Sequence, residues 1–184
     1  MYLPLIIVIF FVVLLILWVI ITYNGFIKLK NRCEEGFSTM DVFLKKRFDL
    51  IPNLVATVKG YAKHETETLE KVIAARNSGS RNSMEEKIQD ENQISNALRQ
   101  IFALSESYPD LKADANFKEL QAQLTKIEED IANSRKYYNA VVVMFNTKCE
   151  MFPSNIIASI FHFTKKPLFS VDDESERENV KVEF

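Results

Sequence analysis

The residues most able to do chemistry in this 184-residue chain are two histidines, two cysteines and some clustered carboxylates. His64 and Glu65 begin like a zinc-protease helix, but the stretch HETET has no second histidine four residues on, so two ligands do not share a face. His162 has no cysteine or aspartate pattern around it. We interpret both histidines as solvated or packed side chains and predict no metal site.

The carboxylates form two groups on predicted helices. A di-iron bundle needs inward-facing glutamates and Glu-x-x-His pairs on two helices, and the sequence contains no such pair. The acids also lie off the apolar stripes, which predicts a solvated face. The groups are Glu65, Glu67 and Glu70, then Glu128, Glu129 and Asp130.

Cys33 and Cys149 are far apart in the sequence and match no metal or redox spacing, so we interpret them as small core residues in a reducing compartment; a distant disulfide stays open. The sequence has no glycine-rich phosphate loop and no nucleophile elbow. It therefore predicts no catalytic residue, no cofactor and no small-molecule substrate.

Composition indicates a helical protein. Glycine and proline are few, at 4 and 5 residues, and Glu, Lys, Leu and Ala are abundant. The formal net charge is -2 with both signs interspersed, which gives no electrostatic reason to expect nucleic-acid binding.

The run from Leu3 to Ile21 has no charged residue and is long enough to cross a bilayer. A cleaved signal peptide would need a basic start, a shorter apolar stretch and a small-residue cleavage site, so we predict an uncleaved anchor at 1–24. The basic residues Lys28, Lys30 and Arg32 follow the run. Positive charge stays cytoplasmic, which predicts a single pass with the N-terminus outside and the bulk of the chain inside the cell.

Beyond the anchor, apolar residues at steps of three and four predict a four-helix bundle over 25–152. An amphipathic segment over 153–169 and an acidic flexible tail over 170–184 follow. The predicted helices are about 25–48, 52–77, 84–108 and 116–151, with a loop at 77–83.

Pro52 leaves two interpretations open, because it either kinks one long helix or opens the second helix after a tight turn. Opening a helix suits proline, and four separate helices of similar length fit an antiparallel up-and-down bundle with short loops. We favour the break at Pro52.

Three blocks of the sequence resemble the LemA family: YNGFIKLKNR from Tyr23, the long central block Arg47–Arg76 that begins RFDLIPNLV, and the block Ser134–Phe163. The resemblance implies an all-α, single-pass bacterial membrane protein with an antiparallel four-helix cytoplasmic bundle. It implies no established chemistry, and some relatives are associated with the organisation of membrane compartments in magnetotactic bacteria.

Two functions follow as hypotheses. The favoured one is a membrane-anchored scaffold or adaptor, not an enzyme, whose contacts are the lipid bilayer, an unidentified protein and other copies of itself. Self-association is expected because the fourth helix keeps its heptad pattern longer than three neighbours can cover. The alternative is a hydrolase or metal-binding accessory protein built on the bundle.

Two finer expectations concern the membrane end of the bundle. Residues 155–169, which include Lys165 and Lys166, either cap the bundle or lie on an anionic leaflet. Tyr23 and Tyr138 are each followed directly by an asparagine, and in both places a second asparagine lies seven residues after the first. We expect these two Tyr-Asn dipeptides at similar heights on antiparallel helices.

Overall fold

The computed structural model describes residues 2–62, 64–78 and 84–169, with side chains for all of these except 78 and 84–92. Within those ranges the chain is helical and has no strand, so the all-α prediction is confirmed. The acidic tail 170–184 and residues 79–83 of the predicted loop lie outside the described residues. The helices are α1 Leu3–Tyr61, α2 Thr66–Ser78, α3 Met84–Ser105, α4 Pro109–Ala113, α5 Ala115–Glu150 and α6 Ser154–Ile160.

Helix α1 is continuous through Pro52, so the predicted break there is wrong. Proline has no N–H, and the carbonyl of Phe48, four residues earlier, therefore loses its helical donor. Arg76 of α2 supplies a replacement, because its Nε lies 3.5 Å from that carbonyl oxygen. The Arg76 guanidinium carbon also lies 4.1 Å from the centre of the Phe48 ring. A donor from another helix thus supports α1 where the sequence alone predicts an end.

The contacts divide the chain into two compact units. We call residues 2–39 with 133–168 the terminal unit, and residues 40–132 the central unit. The central unit buries one apolar core, contributed by α1, α2, α3, α4 and α5. Its members are Ile51, Leu54, Val58, Ala62, Leu69, Val72, Ala75, Ile94, Ala97, Leu98, Ile101, Leu111, Phe117 and Leu124.

A buried ion pair lies in the central unit. Arg47 is 1% exposed, and its Nη1 lies 2.5 Å from Oε1 of Glu128 and 2.8 Å from the Ser95 hydroxyl oxygen. The Ser95 hydroxyl in turn donates to the other oxygen of Glu128. Burial lowers the pKa of Arg47, and the neighbouring carboxylate opposes that shift. The prediction that Glu128 belongs to a solvated face is therefore wrong, because its carboxylate is the counter-ion of a buried guanidinium.

Two further contacts join the helix ends of the central unit. The Tyr61 hydroxyl at the end of α1 donates to Asp114, whose other carboxylate oxygen accepts the backbone N–H of Phe117 at 2.8 Å. Asp114 thus acts as the N-cap of α5. The Tyr108 hydroxyl donates to Glu65 at 3.0 Å. The first bond joins the end of α1 to the start of α5, and the second joins the residues just before α4 and α2.

Candidate functional site

Most of the apolar run at the start of α1 is exposed. Side chains from Leu3 to Leu17 are exposed, and this helix is long and apolar enough to cross a membrane. A stretch of this length without charges matches the thickness of a hydrocarbon core. The packed part of the terminal unit begins where this run ends.

An aromatic cluster, formed by Tyr23, Phe26, Phe145, Phe161 and Phe163, lies directly after the run. Phe163 stacks on Phe26 with ring centres 4.7 Å apart and planes at 12°. Phe145 meets Phe26 edge-on at 6.0 Å, and Tyr23 lies 4.7 Å from Phe161. Phe26 is 0% exposed. Aromatic pairs of these geometries add to the free energy of burial, so the cluster fixes the C-terminal segment against α1 and α5.

The chain reaches the cluster through a tight reversal around α6. The Ser154 hydroxyl lies 2.7 Å from the carbonyl oxygen of Lys148 and 2.9 Å from that of Met151, at the end of α5. After α6, the N–H of Phe163 bonds to the Ala158 carbonyl and that of His162 to the Ser159 carbonyl. This is a Schellman ending, and His162 takes the left-handed conformation it needs, with φ of 56°. His162 is exposed and serves the backbone turn.

Two α5 side chains hold the segment that follows α6. The Asn146 amide donates to the Lys166 carbonyl and accepts the Lys166 N–H, both at 2.9 Å. The Tyr138 hydroxyl donates to the Pro167 carbonyl at 3.1 Å. Burial raises the pKa of Tyr138 to about 12, with a smaller contribution from Cys33. This pair of bonds to the backbone could not be predicted from the sequence, because Asn146 and Lys166 are 20 residues apart.

A lysine from α5 lies beside the same cluster. The Lys148 ammonium is 4.9 Å from the centre of the Phe26 ring and occupies the space that a Cβ would fill at Gly25. Burial lowers the pKa of Lys148. Because Gly25 has no side chain, the Lys148 ammonium can lie against the α1 backbone there. Gly25 is four residues beyond Ile21, the last residue of the apolar run.

Exposed apolar side chains form two stripes in this unit. One is at α6, where Ile156 and Ile160 are 47% and 61% exposed, and Phe152, two residues before the helix, is 78% exposed. The other lies on α5, where Tyr137 and Met144 are 47% and 54% exposed. A spacing of four residues places Ile156 and Ile160 on one face of α6, and a spacing of seven places Tyr137 and Met144 on one face of α5.

The residues predicted to carry no chemistry are dispersed. Cys33 is buried and Cys149 is half-buried; both are free thiols, and burial raises the pKa of each. His64 is exposed. Across the described ranges, no three His, Cys, Asp or Glu side chains lie close enough together to hold a metal ion.

The predicted register of the two Tyr-Asn dipeptides is wrong. The Tyr138 ring faces Phe37 of α1, at 6.1 Å between centres. Phe37 lies fourteen residues beyond Tyr23, about 21 Å or four turns along the helix. The prediction took the membrane end of the bundle to lie near Tyr138, but α5 stays alongside α1 beyond that residue, where Phe145 meets Phe26.

A model of the LemA family matches residues 36–184 of the chain. The chain belongs to the LemA family. The match begins within α1, beyond the apolar run, and includes the Arg47–Arg76 block that suggested LemA from the sequence.

Curated relatives of the LemA chain cover most of it at low identity. Protein LemA of Metamycoplasma hominis is 25% identical over 95% of this chain and 82% of its own length. Magnetosome protein MamQ 2 of Paramagnetospirillum magneticum is 23% identical, over 86% of this chain and 68% of its own. Magnetosome protein MamQ of Magnetospirillum gryphiswaldense is 22% identical, over 80% and 64%.

Proposed function

We propose that this LemA-family protein is a single-pass membrane anchor and scaffold whose helical body binds other proteins and does not catalyse a reaction. The observation that carries the proposal is that the apolar run continues without a break into the part of α1 that packs inside the terminal unit. Any surface of that unit is then presented at a fixed distance from the bilayer. The similarity to magnetosome proteins supports a role in membrane organisation.

The proposed orientation has the N-terminus outside and the body in the cytoplasm. Lys28 and Arg32 are exposed on α1 just after the run, as is Lys30. Basic residues close to one end of a span mark the cytoplasmic side. The proposed membrane is therefore the bacterial inner membrane.

We further propose that the helices form an antiparallel up-and-down bundle. Within the terminal unit, Phe26 meets Phe145 and Phe37 meets Tyr138, so residue numbers fall along α5 as they rise along α1. Within the central unit, the same order joins Arg47 to Glu128 and Tyr61 to Asp114. This contact order supports opposite directions for the two long helices.

The stripe on α5 supports self-association as one scaffold contact. Tyr137, Ala140 and Met144 are exposed at steps of three and four, the spacing of a helix–helix seam between two copies. We expect the full chain in mild detergent to form dimers or larger species at micromolar concentration, and Met144→Glu to convert them to monomers. Light scattering after size exclusion measures this.

The matched control is Val42→Glu. Val42 is 53% exposed on α1 and does not belong to the stripe, so this variant should keep the mass of the unaltered protein. A monomeric unaltered chain, or equal effects of both substitutions, would contradict self-association through α5.

A further inference from the structure

The outer face of α6 is apolar although its inner face is already buried. Ile157 and Ala158 are 2% and 4% exposed and face the unit's interior. Ile156 and Ile160, four residues apart on the helix, stay exposed, and so does Phe152, two residues before the helix begins. The segment therefore satisfies the predicted capping role with one face and still has a second apolar face uncovered.

The height of α6 relative to the apolar run indicates what covers that face. Tyr23 lies two residues, about 3 Å, beyond Ile21, and its ring is 4.7 Å from that of Phe161 at the end of α6. Aromatic rings concentrate at this level of a membrane, between the acyl chains and the headgroups. A protein face at this height meets the bilayer surface before it meets water.

Positive charge surrounds the same level. The Lys148 ammonium lies beside Gly25, and Lys28 is exposed on the next turn of α1. Lys165 pairs with Glu150 and is 62% exposed, so it remains open to solvent on its other side. Cations next to exposed aromatic and aliphatic side chains are typical of segments that lie in an anionic interface.

We propose that α6 is a second membrane contact, in which Phe152, Ile156 and Ile160 enter the acyl boundary of an anionic bilayer while the adjacent lysines bind its headgroups. The proposal rests on the membrane anchor of the proposed function. It assigns α6 both of the roles that the sequence left as alternatives for residues 155–169: the inner face closes the unit and the outer face binds lipid. The segment that follows α6 is held by Asn146 and by the aromatic cluster, and it keeps α6 in that position.

Depth-dependent fluorescence quenching tests the contact in the full chain reconstituted into vesicles of phosphatidylcholine and phosphatidylglycerol. Trp18 is the only tryptophan, so Trp18→Phe/Phe152→Trp reports on the α6 face alone. Phe152 is 78% exposed, and the change costs no packing. Phosphatidylcholine with a doxyl group near the acyl carbonyl should quench this tryptophan at least about twofold more than that of Trp18→Phe/Lys136→Trp. Lys136 is an exposed α5 residue fourteen positions before the end of the helix.

Quenching of the Phe152→Trp variant no greater than that of the Lys136→Trp control would overturn the proposal. Protection from aqueous iodide without doxyl quenching would also overturn it, since that result indicates a protein partner or a second copy on the face. Quenching that does not fall when phosphatidylglycerol is omitted would overturn the anionic preference. Native Trp18 in the unaltered chain tests the anchor separately: if Trp18 is quenched and the α6 tryptophan is not, the anchor holds and this inference fails.

Discussion

Glu128→Ala is expected to lower the free energy of unfolding by about 2–4 kcal/mol. The substitution leaves the Arg47 guanidinium, 1% exposed, without the carboxylate that lies 2.5 Å from it. Removing one partner of a buried pair costs more than the pair itself contributes, because the remaining charge stays desolvated. Glu128 is 32% exposed, so water reaching the site keeps the expected loss below that of a fully buried pair.

Urea unfolding followed by far-ultraviolet circular dichroism, on the full chain in mild detergent, measures this loss. Glu129→Ala is the control, because Glu129 is the exposed neighbour on the same helix and its loss should change stability by no more than about 0.5 kcal/mol. Replacing both partners, in Arg47→Met/Glu128→Leu, should recover most of the stability because no buried charge remains. Equal effects of Glu128→Ala and Glu129→Ala would show that the ion pair does not stabilise the central unit.

Pro52→Ala is expected to raise the free energy of unfolding by about 1–3 kcal/mol, because alanine restores the helical N–H and removes the ring from the interior of α1. In the natural sequence the orphaned Phe48 carbonyl accepts from Arg76. Arg76→Ala should then cost about 1–2 kcal/mol, and clearly less in the Pro52→Ala background, where residue 52 donates to that carbonyl. The contact of Arg76 with the Phe48 ring is common to both backgrounds and cancels in the comparison.

A double-mutant cycle on these two positions isolates the proline-dependent part of the Arg76 contribution. Lys71→Ala serves as the control on α2, since Lys71 is 57% exposed and pairs only at the surface with Glu67; its effect should be small and the same in both backgrounds. If Arg76→Ala costs the same with and without Pro52, the proposed replacement of the helical donor is wrong.

The pattern of apolar residues was sufficient to predict the helical fold, since steps of three and four depend only on local geometry. The continuity of α1 could not be predicted in this way. Proline marks a local loss of one donor, and whether that loss ends the helix depends on Arg76, which is 24 positions away and on another helix. Local rules gave the wrong result at Pro52 because a tertiary contact offsets their cost.

Contacts elsewhere in the structure could not be predicted from local sequence patterns either. Phe26 was recognisable as part of an apolar stripe, but its stacking partner Phe163 follows a reversal that depends on a left-handed residue at His162. Glu128 was indistinguishable in sequence from Glu129, because only the position of Arg47 in space makes one of them a counter-ion. The contact of the Tyr138 ring with Phe37 is a further case, because spacing alone placed Tyr138 level with Tyr23, about four turns away along α1.

Labelling of single cysteines on intact cells tests the membrane-anchored topology most directly. In a Cys33→Ala/Cys149→Ala background, Tyr2→Cys reports on the N-terminus and Lys118→Cys on the central unit; both side chains are exposed. We expect a membrane-impermeant maleimide, applied to cells with a permeabilised outer layer and an intact inner membrane, to label Tyr2→Cys at once and Lys118→Cys only after lysis. Labelling of Lys118→Cys before lysis, or release of the protein from the membrane at alkaline pH, would contradict a cytoplasmic body anchored by α1.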